Sequence, residues 1–593
     1  MVIASRWSVP IPRCSLQQWI FGSACGPVAD HKAFIDPEKP DTNYLTLADY
    51  RLLGKRVALG LQEAGLNKGD RVLIFAGNSL LFPSVFVGVL MAGGIVTGAN
   101  PTFVPRELAY QLKDSGASFM FVAEHAVKTA FEAAAEAGLP RNRIFVLGSS
   151  STVPISQLAR ASSPGPGTGG RVGGARHWTE LLAGHPEKAD AWSWEEPSDP
   201  EETTCCLNYS SGTTGAPKGV EISHHSYVSN GVGIVFMNKR RSDYEARRKR
   251  SRVLALLPFY HAYGQVLFIA NFPHQQIPVY VMPSFDFLKM LSYIQRFRIT
   301  TLALVPPIIV LLTKHPATRK FDLSSIETVS SGAAPLSREV TEEAERLFRE
   351  QRRGRADGDE EEIFVRQGWG MTELTCVALA WDHDTTVRTS AGVGEVFPNC
   401  RAKLVSLEDG RTPVERAGER GELWVTGPAL MRRYWRRPEA TAETIVVDAA
   451  DGTRWLRTGD VAYVDQYKPG GIFYIVDRIK ELIKVKGNQV APAELEGILL
   501  DNPDVADAAV VGVTINGEEL PRAYIVRKPG SAATEQDVAK WMEGKVVRYK
   551  QLKGGVAFVD AIPKNASGKI LRKQLRERAQ KEVGDAAKRA SHL

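Results

Sequence analysis

Short runs of β-branched and aromatic residues recur along the chain. Residues 71–77 (RVLIFAG), 95–99 (IVTGA), 117–123 (ASFMFVA), 143–148 (RIFVLG), 253–259 (VLALLPF), 278–282 (PVYVM) and 301–306 (TLALVP) each read as a strand. Segments with helical spacing of apolar positions separate them. Strands alternating with helices predict an α/β architecture on largely parallel sheets, a large multi-sheet N-terminal part in which ligands gather beyond the carboxyl ends of strands. Residues 80–99 are nearly free of charge over about the length of a membrane span. Pro83 and the Gly93-Gly94 pair interrupt that run, so it predicts a buried helix ending at Gly93 and a strand over 95–97, with no membrane span.

Three stretches read as loops. Residues 149–176 are rich in Ser, Gly and Pro; 239–252 (KRRSDYEARRKRSR) is strongly basic; 351–362 (QRRGRADGDEEE) is a mixed-charge tip. The first contains G-x-G-x-x-G at Gly165, Gly167 and Gly170. No strand precedes it and no helix follows, so a dinucleotide site is not expected there. From about Val464 the texture changes. Residues 472–490, a helical pattern over 492–502 with Pro492 in its first turn, strand-like runs at 505–515 and 522–528, and a helix from Thr534 make an α+β unit. Roughly 110 residues suffice for a second domain. The expected division is 1–478 and 479–593, with the junction near residues 477–480.

The composition, 44% hydrophobic and 24% charged over 593 residues, is that of a globular protein. The net charge of +7 sits largely in 239–252 and in the tail from Arg572. With no aromatic interleaving, zinc spacing or recognition-helix pattern, the basic run reads as a solvated surface segment, and no nucleic-acid partner is expected. Six cysteines form no C-x-x-C pair, which favours a reducing compartment. The N-terminus lacks a signal-peptide pattern. The chain ends in Ser591, His592 and Leu593, a variant of the S-K-L address, which predicts import into the peroxisome through its receptor; otherwise the expected location is cytoplasmic.

Chemistry enters with 209–220, YSSGTTGAPKGV. The hydroxyls of Ser210, Ser211, Thr213 and Thr214 and the backbone N–H groups near Gly212 and Gly215 suit phosphate oxygens, and Lys218 adds a positive charge. The order is not the P-loop G-x-x-x-x-G-K-S/T, because Pro217 occupies the second glycine's place. The block is expected between a strand and a helix.

Seven ordered blocks carry a resemblance: this one, 257–264 (LPFYHAYG), 330–337 (SSGAAPLS), 367–373 (QGWGMTE), 455–460 (WLRTGD), 477–496 (DRIKELIKVKGNQVAPAELE) and 563–572 (PKNASGKILR). With them the chain resembles the adenylate-forming enzymes, most closely the 4-coumarate–CoA ligase and acyl-CoA synthetase branch. The resemblance implies that a carboxylic acid reacts with ATP to give an acyl-AMP and pyrophosphate, and that the acyl group then passes to the thiol of CoA. It implies that the 209–220 loop holds the departing phosphates, Glu373 binds Mg²⁺, Thr372 bonds the α-phosphate and Trp369 packs on adenine. Gln367 and Gly368, in the same block, would also meet the nucleotide. Gly332, Ala333 and Ala334 would form a flat wall, and Asp460, with Arg478 nearby, would hold the ribose hydroxyls.

The resemblance also divides two lysines. Lys569 would reach the α-phosphate and the acid during adenylation, whereas Lys484 and Gln489 would be presented in a second orientation of a mobile small domain, for thioester formation. Lys480 would mark the hinge, and Lys486 and Gly487 would meet CoA. Taken alone, Lys480, Lys484 and Lys486 read as a solvated basic face. His261 would gate an acyl pocket lined by Tyr263, Val305, Gly332 and Gly368. The segment 258–264 offers no acid for a substrate ammonium, and residues 305–312 and 374–379 are apolar. An aryl, arylpropenoyl or medium-chain acid is therefore expected. Ser284 stands where related ligases carry a basic residue toward the CoA nucleotide; residues 239–252 could compensate. The alternative is a carrier-protein or peptide-synthetase-like adenylating enzyme, although no carrier-attachment pattern follows the small domain. A luciferase-like oxygenase would use the same adenylation site. No G-x-S-x-G nucleophile elbow occurs.

Overall fold

The computed structural model describes residues 1–148, 153–162, 171–182, 186–210, 216–352, 363–383, 391–486, 488–515, 517–565 and 568–591, the last of these without side chains beyond 583. Two sheets of mainly parallel strands form the large N-terminal part, as the alternation of strand and helix predicts. The first runs Arg433–Tyr434, Lys218–Ser223, Thr204–Ser210, Ile95–Ala99, Arg71–Phe75, Ala117–Ala123, Ile144–Leu147 and Arg176–His177. The second runs Val365–Gln367, Thr328–Ser331, Thr301–Leu304, Val253–Ala255, Val279–Val281, Lys32–Ile35 and Tyr44–Thr46, parallel except for its last pair.

The uncharged run at 80–99 is a helix, Leu81–Met91, and a strand, Ile95–Ala99, both buried. Pro83 lies in the helix's first turn, where the missing N–H has no intrahelical partner to lose. Gly93, at φ +82°, takes the left-handed turn that separates helix from strand. Helix Leu47–Glu63 packs across it, opened by a capping box in which Thr46 Oγ1 accepts from the Asp49 N–H and Asp49 accepts from the Thr46 N–H. Where the two helices cross, a Cβ on Gly88 would lie 2.9 Å from the Gly54 carbonyl oxygen. Among the described residues no helix is long and apolar enough to cross a membrane.

A third sheet, of antiparallel strands, departs from the mostly parallel expectation. It joins Ile3–Ala4, Arg401–Val405, Gly421–Thr426, Arg454–Val464 and Ile445–Val447, with Phe473–Arg478 on Arg454–Val464. The main core ends at Phe473. A separate core begins at Ile483 and is built from helices Pro492–Leu500 and Glu535–Glu543 on strands Val505–Ile515, Glu518–Arg527 and Val556–Phe558.

Two expected loops are more ordered than their composition suggests. Residues 153–162 include helix Ile155–Arg160, while the glycine motif at 165–170 lies outside the described residues. The basic run holds helix Tyr244–Arg250 and is not simply solvated. Arg247 is buried, with its guanidinium on Asp243 and on Glu327 (3.1 Å), and Arg250 also reaches Glu327 (2.7 Å). The 353–362 tip lies outside the described residues. All six cysteines are free thiols, four of them buried.

Candidate active site

The carboxyl ends of three neighbouring parallel strands open on one cavity of about 290 Å³. Strands Thr301–Leu304, Thr328–Ser331 and Val365–Gln367 deliver Val305, Gly332 and Gly368 to its wall. His261 and Tyr263 face them from the segment that begins a π-helical turn, Gln265–Asn271. Such turns are rare and gather at functional sites. Of the expected apolar walls, only Val305 comes from 305–312, and Cys376 and Val377 from 374–379. Ala333 lines the cavity at φ +73°, a left-handed conformation that is costly for a residue with a Cβ. Ala334 stands outside the lining. Gln367 holds this loop: Leu336 N–H donates to its Oε1 at 2.9 Å, and its Nε2 donates to the Leu336 carbonyl at 3.1 Å. Gln367, a residue expected at the nucleotide, thus spends its amide on positioning the wall.

Glu373 is buried in the short turn Thr372–Leu374, and Thr372 reaches the cavity. Ser210 Oγ donates to Glu373 Oε1 at 3.1 Å, and the Tyr434 hydroxyl donates to the same oxygen at 2.8 Å. Burial and this carboxylate together push the Tyr434 phenol well above its ordinary range. Lys218 Nζ lies 5.0 Å from the centre of the Tyr434 ring, so one tyrosine links the lysine of the Gly/Ser/Thr block to the acid 163 positions after Ser210. The sequence reading missed Tyr434; the only available signal was an aromatic inside the basic segment 432–437.

The block around Lys218 is a hairpin between antiparallel strands Thr204–Ser210 and Lys218–Ser223, with Lys218 opposite Ser210, not the strand-to-helix passage expected. Its two ends are tied down: Tyr209 donates to Asp114 at 2.7 Å, and Tyr110 donates to the Pro217 carbonyl at 2.8 Å. Ser211, Gly212, Thr213, Thr214 and Gly215 lie outside the described residues.

Asp460 and Arg478 are opposite each other on paired strands, and Arg478 Nε lies 3.0 Å from Asp460 Oδ1. The Trp369 indole N–H donates to Asp460 Oδ2 at 2.9 Å. A carboxylate offers about four acceptor directions, so two bonds leave room for a diol. Asp460 is the main reason the Arg478 guanidinium is held even more firmly charged than usual.

Lys569 comes from the C-terminal unit and lines the same cavity. Its side chain is solvent-accessible although protein crowds around it. Burial, and then the Arg478 charge, lower its pKa, against the pull of Asp460 and Glu373. His261 is lowered to about 4, first by burial and then by Lys569, and is therefore neutral near pH 7. The lysine is carried by a tight turn in which Asn565 Oδ1 accepts from the Lys569 N–H at 2.9 Å. Gly568, at φ +78°, meets Pro307 and Val305; a Cβ there would be 3.1 Å from the proline ring and 3.3 Å from the valine.

Lys484 and Gln489 are elsewhere. They face one another across the hairpin of Ile483–Val485 and Asn488–Val490, both exposed and both outside the cavity lining. Lys486, at φ +49°, pairs with Glu518 at 3.2 Å, and Lys480 is exposed beside Arg478. Gly487, His592 and Leu593 lie outside the described residues, and of Ser591 only the backbone is described. Ser284 is exposed.

The sequence profile described as "AMP-binding enzyme" matches residues 23–435, and that described as "AMP-binding enzyme C-terminal domain" matches residues 494–569. The chain belongs to the AMP-binding enzyme family. Among its relatives, an Arabidopsis thaliana protein named peroxisomal OPC-8:0-CoA ligase 1 is 35% identical over 546 residues, covering 92% of this chain and 90% of that one. Another from the same plant, 4-coumarate–CoA ligase-like 2, is 34% identical over 524 residues, covering 88% and 84%. The fold is shared with ATP-bound MatB from Rhodopseudomonas palustris at TM-score 0.77 and 24% identity, covering 96% of this AMP-binding enzyme and 99% of MatB. It is shared equally with the anthranilate CoA ligase AuaEII in complex with anthranoyl-AMP, at TM-score 0.77 and 22% identity, covering 99% of each chain.

Proposed function

We propose that this AMP-binding enzyme is an acid–CoA ligase that activates a carboxylic acid with ATP and passes the acyl group to CoA. The observation that carries this reading is that Lys569, from the C-terminal unit, lines one cavity with His261, Trp369 and Thr372 and feels the charges of Asp460 and Glu373 behind that wall. A carboxylate resists attack by a thiol because oxide is a poor leaving group; as a mixed anhydride with AMP it leaves behind a stabilised phosphate. Two anions must approach one another for that anhydride to form. An opposite charge at about 4 Å is worth roughly 1 kcal/mol in water and about 4 at an effective dielectric of 20, so a lysine in an enclosed site offsets their repulsion far better than one in solvent. Neutral His261 adds no competing charge near pH 7.

The roles follow the placement. Ser210, Lys218 and the intervening loop would hold the leaving phosphates, Thr372 the α-phosphate, Trp369 the adenine and Asp460 the ribose. Tyr263, Val305, Gly332 and Gly368 would hold the acid, which the apolar part of the wall suits to aryl, arylpropenoyl or medium-chain skeletons. Glu373 fits Mg²⁺: one buried carboxylate beside phosphates is how this ion is commonly held, and among the described residues no cluster of three or more acidic, histidine or cysteine side chains forms a closed metal cage. Residues 1–478 and 479–593 are read as a large domain and a mobile small one. The small domain turns about Lys480 to bring Lys484, Gln489, Lys486 and Gly487 to the site for the thiol step. Ser591, His592 and Leu593 would direct the protein to the peroxisome.

Acid-dependent pyrophosphate release, measured with ATP and Mg²⁺ over a panel of carboxylic acids with and without CoA, tests the reading. Release accompanied by acyl-CoA is expected. Release with no acyl-CoA would favour a separate carrier as acceptor, and no release with any acid would exclude adenylation altogether.

A further inference from the structure

A buried carboxylate spans the junction between the two cores. Asp477 stands on strand Phe473–Arg478, opposite Val461 in the antiparallel sheet of the large part. Its Oδ1 accepts from the Arg478 N–H at 2.7 Å, and its Oδ2 accepts from the Ala493 N–H at 2.9 Å. Ala493 belongs to the small unit, in the first turn of helix Pro492–Leu500.

The first N–H groups of a helix have no partner inside it. A carboxylate placed there meets both those donors and the positive end of the helix dipole. This helix has no side-chain cap of its own: its N-cap is Ala491, and Pro492 lacks an N–H, so Ala493 presents the first donor. Asp477 supplies from the large part what the small unit lacks. Burial pushes its carboxyl up to about 6, with Glu496 adding to the rise and Arg572 and the two N–H donors opposing it. Near pH 7 the group is therefore ionised and accepts both bonds.

The capped helix is tied to the turn that carries Lys569. Within it, Glu496 accepts from Arg572 Nη2 at 2.9 Å and from the Val510 N–H at 2.7 Å. Arg572 opens the helix Arg572–Ser591, three positions after Lys569, and its Nη1 donates to the Val510 carbonyl at 2.9 Å. The capped helix also rests on the cavity-wall loop, where a Cβ on Gly497 would lie 3.8 Å from the Ser337 Cβ. Contacts thus run without a break from Asp477 to the base of the Lys569 turn, although Asp477 itself stands outside the cavity lining.

We propose that Asp477 is a positioning residue for adenylation: by capping helix Pro492–Leu500 across the junction, it holds the small unit where Lys569 enters the cavity. The cap is released when the unit turns for the thiol step. The proposal rests on the ligase reading.

The test measures the two half-reactions separately, with the panel acid that the wild-type enzyme uses best. Adenylation is followed as pyrophosphate release without CoA, and the thiol step as acyl-CoA formed from the preformed adenylate. Asp477→Ala is expected to slow adenylation roughly 3- to 30-fold, the range set by losing a helix cap, and to leave the thiol step unchanged or faster. Adding Ala491→Ser returns a cap from inside the small unit and separates positioning from stability. In that double variant, amide hydrogen exchange over 492–500 should recover while adenylation stays slow. Should Asp477→Ala fail to fold, Asp477→Asn, which keeps one acceptor oxygen, should lower the ratio of adenylation to thiol transfer by a smaller factor. A ratio unchanged in the folded variants, or adenylation restored by Ala491→Ser, would overturn the proposal alone. No pyrophosphate release by the wild-type enzyme with any acid would overturn the ligase reading and this proposal with it.

Discussion

Glu373 receives two hydroxyl donors on one oxygen, and the nearer donor belongs to a residue outside every recognisable block. Tyr434 fixes the carboxylate's direction while its ring accepts the Lys218 ammonium on its face. It touches no reacting atom in this arrangement and acts by positioning. Tyr434→Phe is therefore expected to raise the Mg²⁺ concentration for half-maximal adenylation about tenfold, the usual scale for removing a partner that orients a metal ligand, with KM for the acid little changed. A Mg²⁺ titration at saturating ATP and acid decides it; an unchanged midpoint would assign Tyr434 to packing alone. The residues with chemistry in their side chains were the legible ones, because Glu373, Asp460, Lys218 and Lys569 sit in ordered blocks. Gln367 was also legible as part of a block, but its task, holding Leu336, depends on a contact 31 positions away.

The helix Leu81–Met91 was readable from its uncharged run and the breakers near its two ends, Pro83 and Gly93. Its crossing with Leu47–Glu63 was not, since two glycines far apart in sequence determine how closely the backbones approach. Gly88→Ala places a methyl 2.9 Å from the Gly54 carbonyl and from a Val57 methyl, contacts a rigid backbone cannot relieve. A loss of about 1–3 kcal/mol is expected from such overpacking, read as a lowered urea midpoint for the large part of the protein. The antiparallel third sheet escaped the sequence reading for a different reason. Its strands are brief or laced with charge, as in Arg401–Val405 and Arg454–Val464, and one edge is supplied by Ile3–Ala4 from the start of the chain. Lys403 covers the Trp455 and Trp424 rings at 4.3 and 5.1 Å, so even its apolar cluster is capped by a cation that the hydropathy pattern scores as surface.

At the scale of the molecule, Lys569 and the Lys484–Gln489 pair belong to one unit yet only Lys569 meets the cavity. Lys569→Ala should abolish adenylate formation while sparing thioester formation from supplied acyl-AMP, and Lys484→Ala should do the reverse; separate half-reaction assays check each. If both folded variants lost both half-reactions, two orientations would not be needed. The sequence named these residues but could not say which of them faces the site, because that depends on how two cores dock and not on any local pattern. The docking contact itself has a consequence for selectivity. Gly568 rests on Val305 and Pro307, and Val305 is also a wall of the acid cavity. One surface therefore serves as both mould and latch. On the ligase reading, an acid that swelled the mould would lift the latch, so a poor fit is expected to be rejected as a failure of commitment after binding. A kinetic comparison of acids of rising bulk should show the loss in kcat before it shows in affinity.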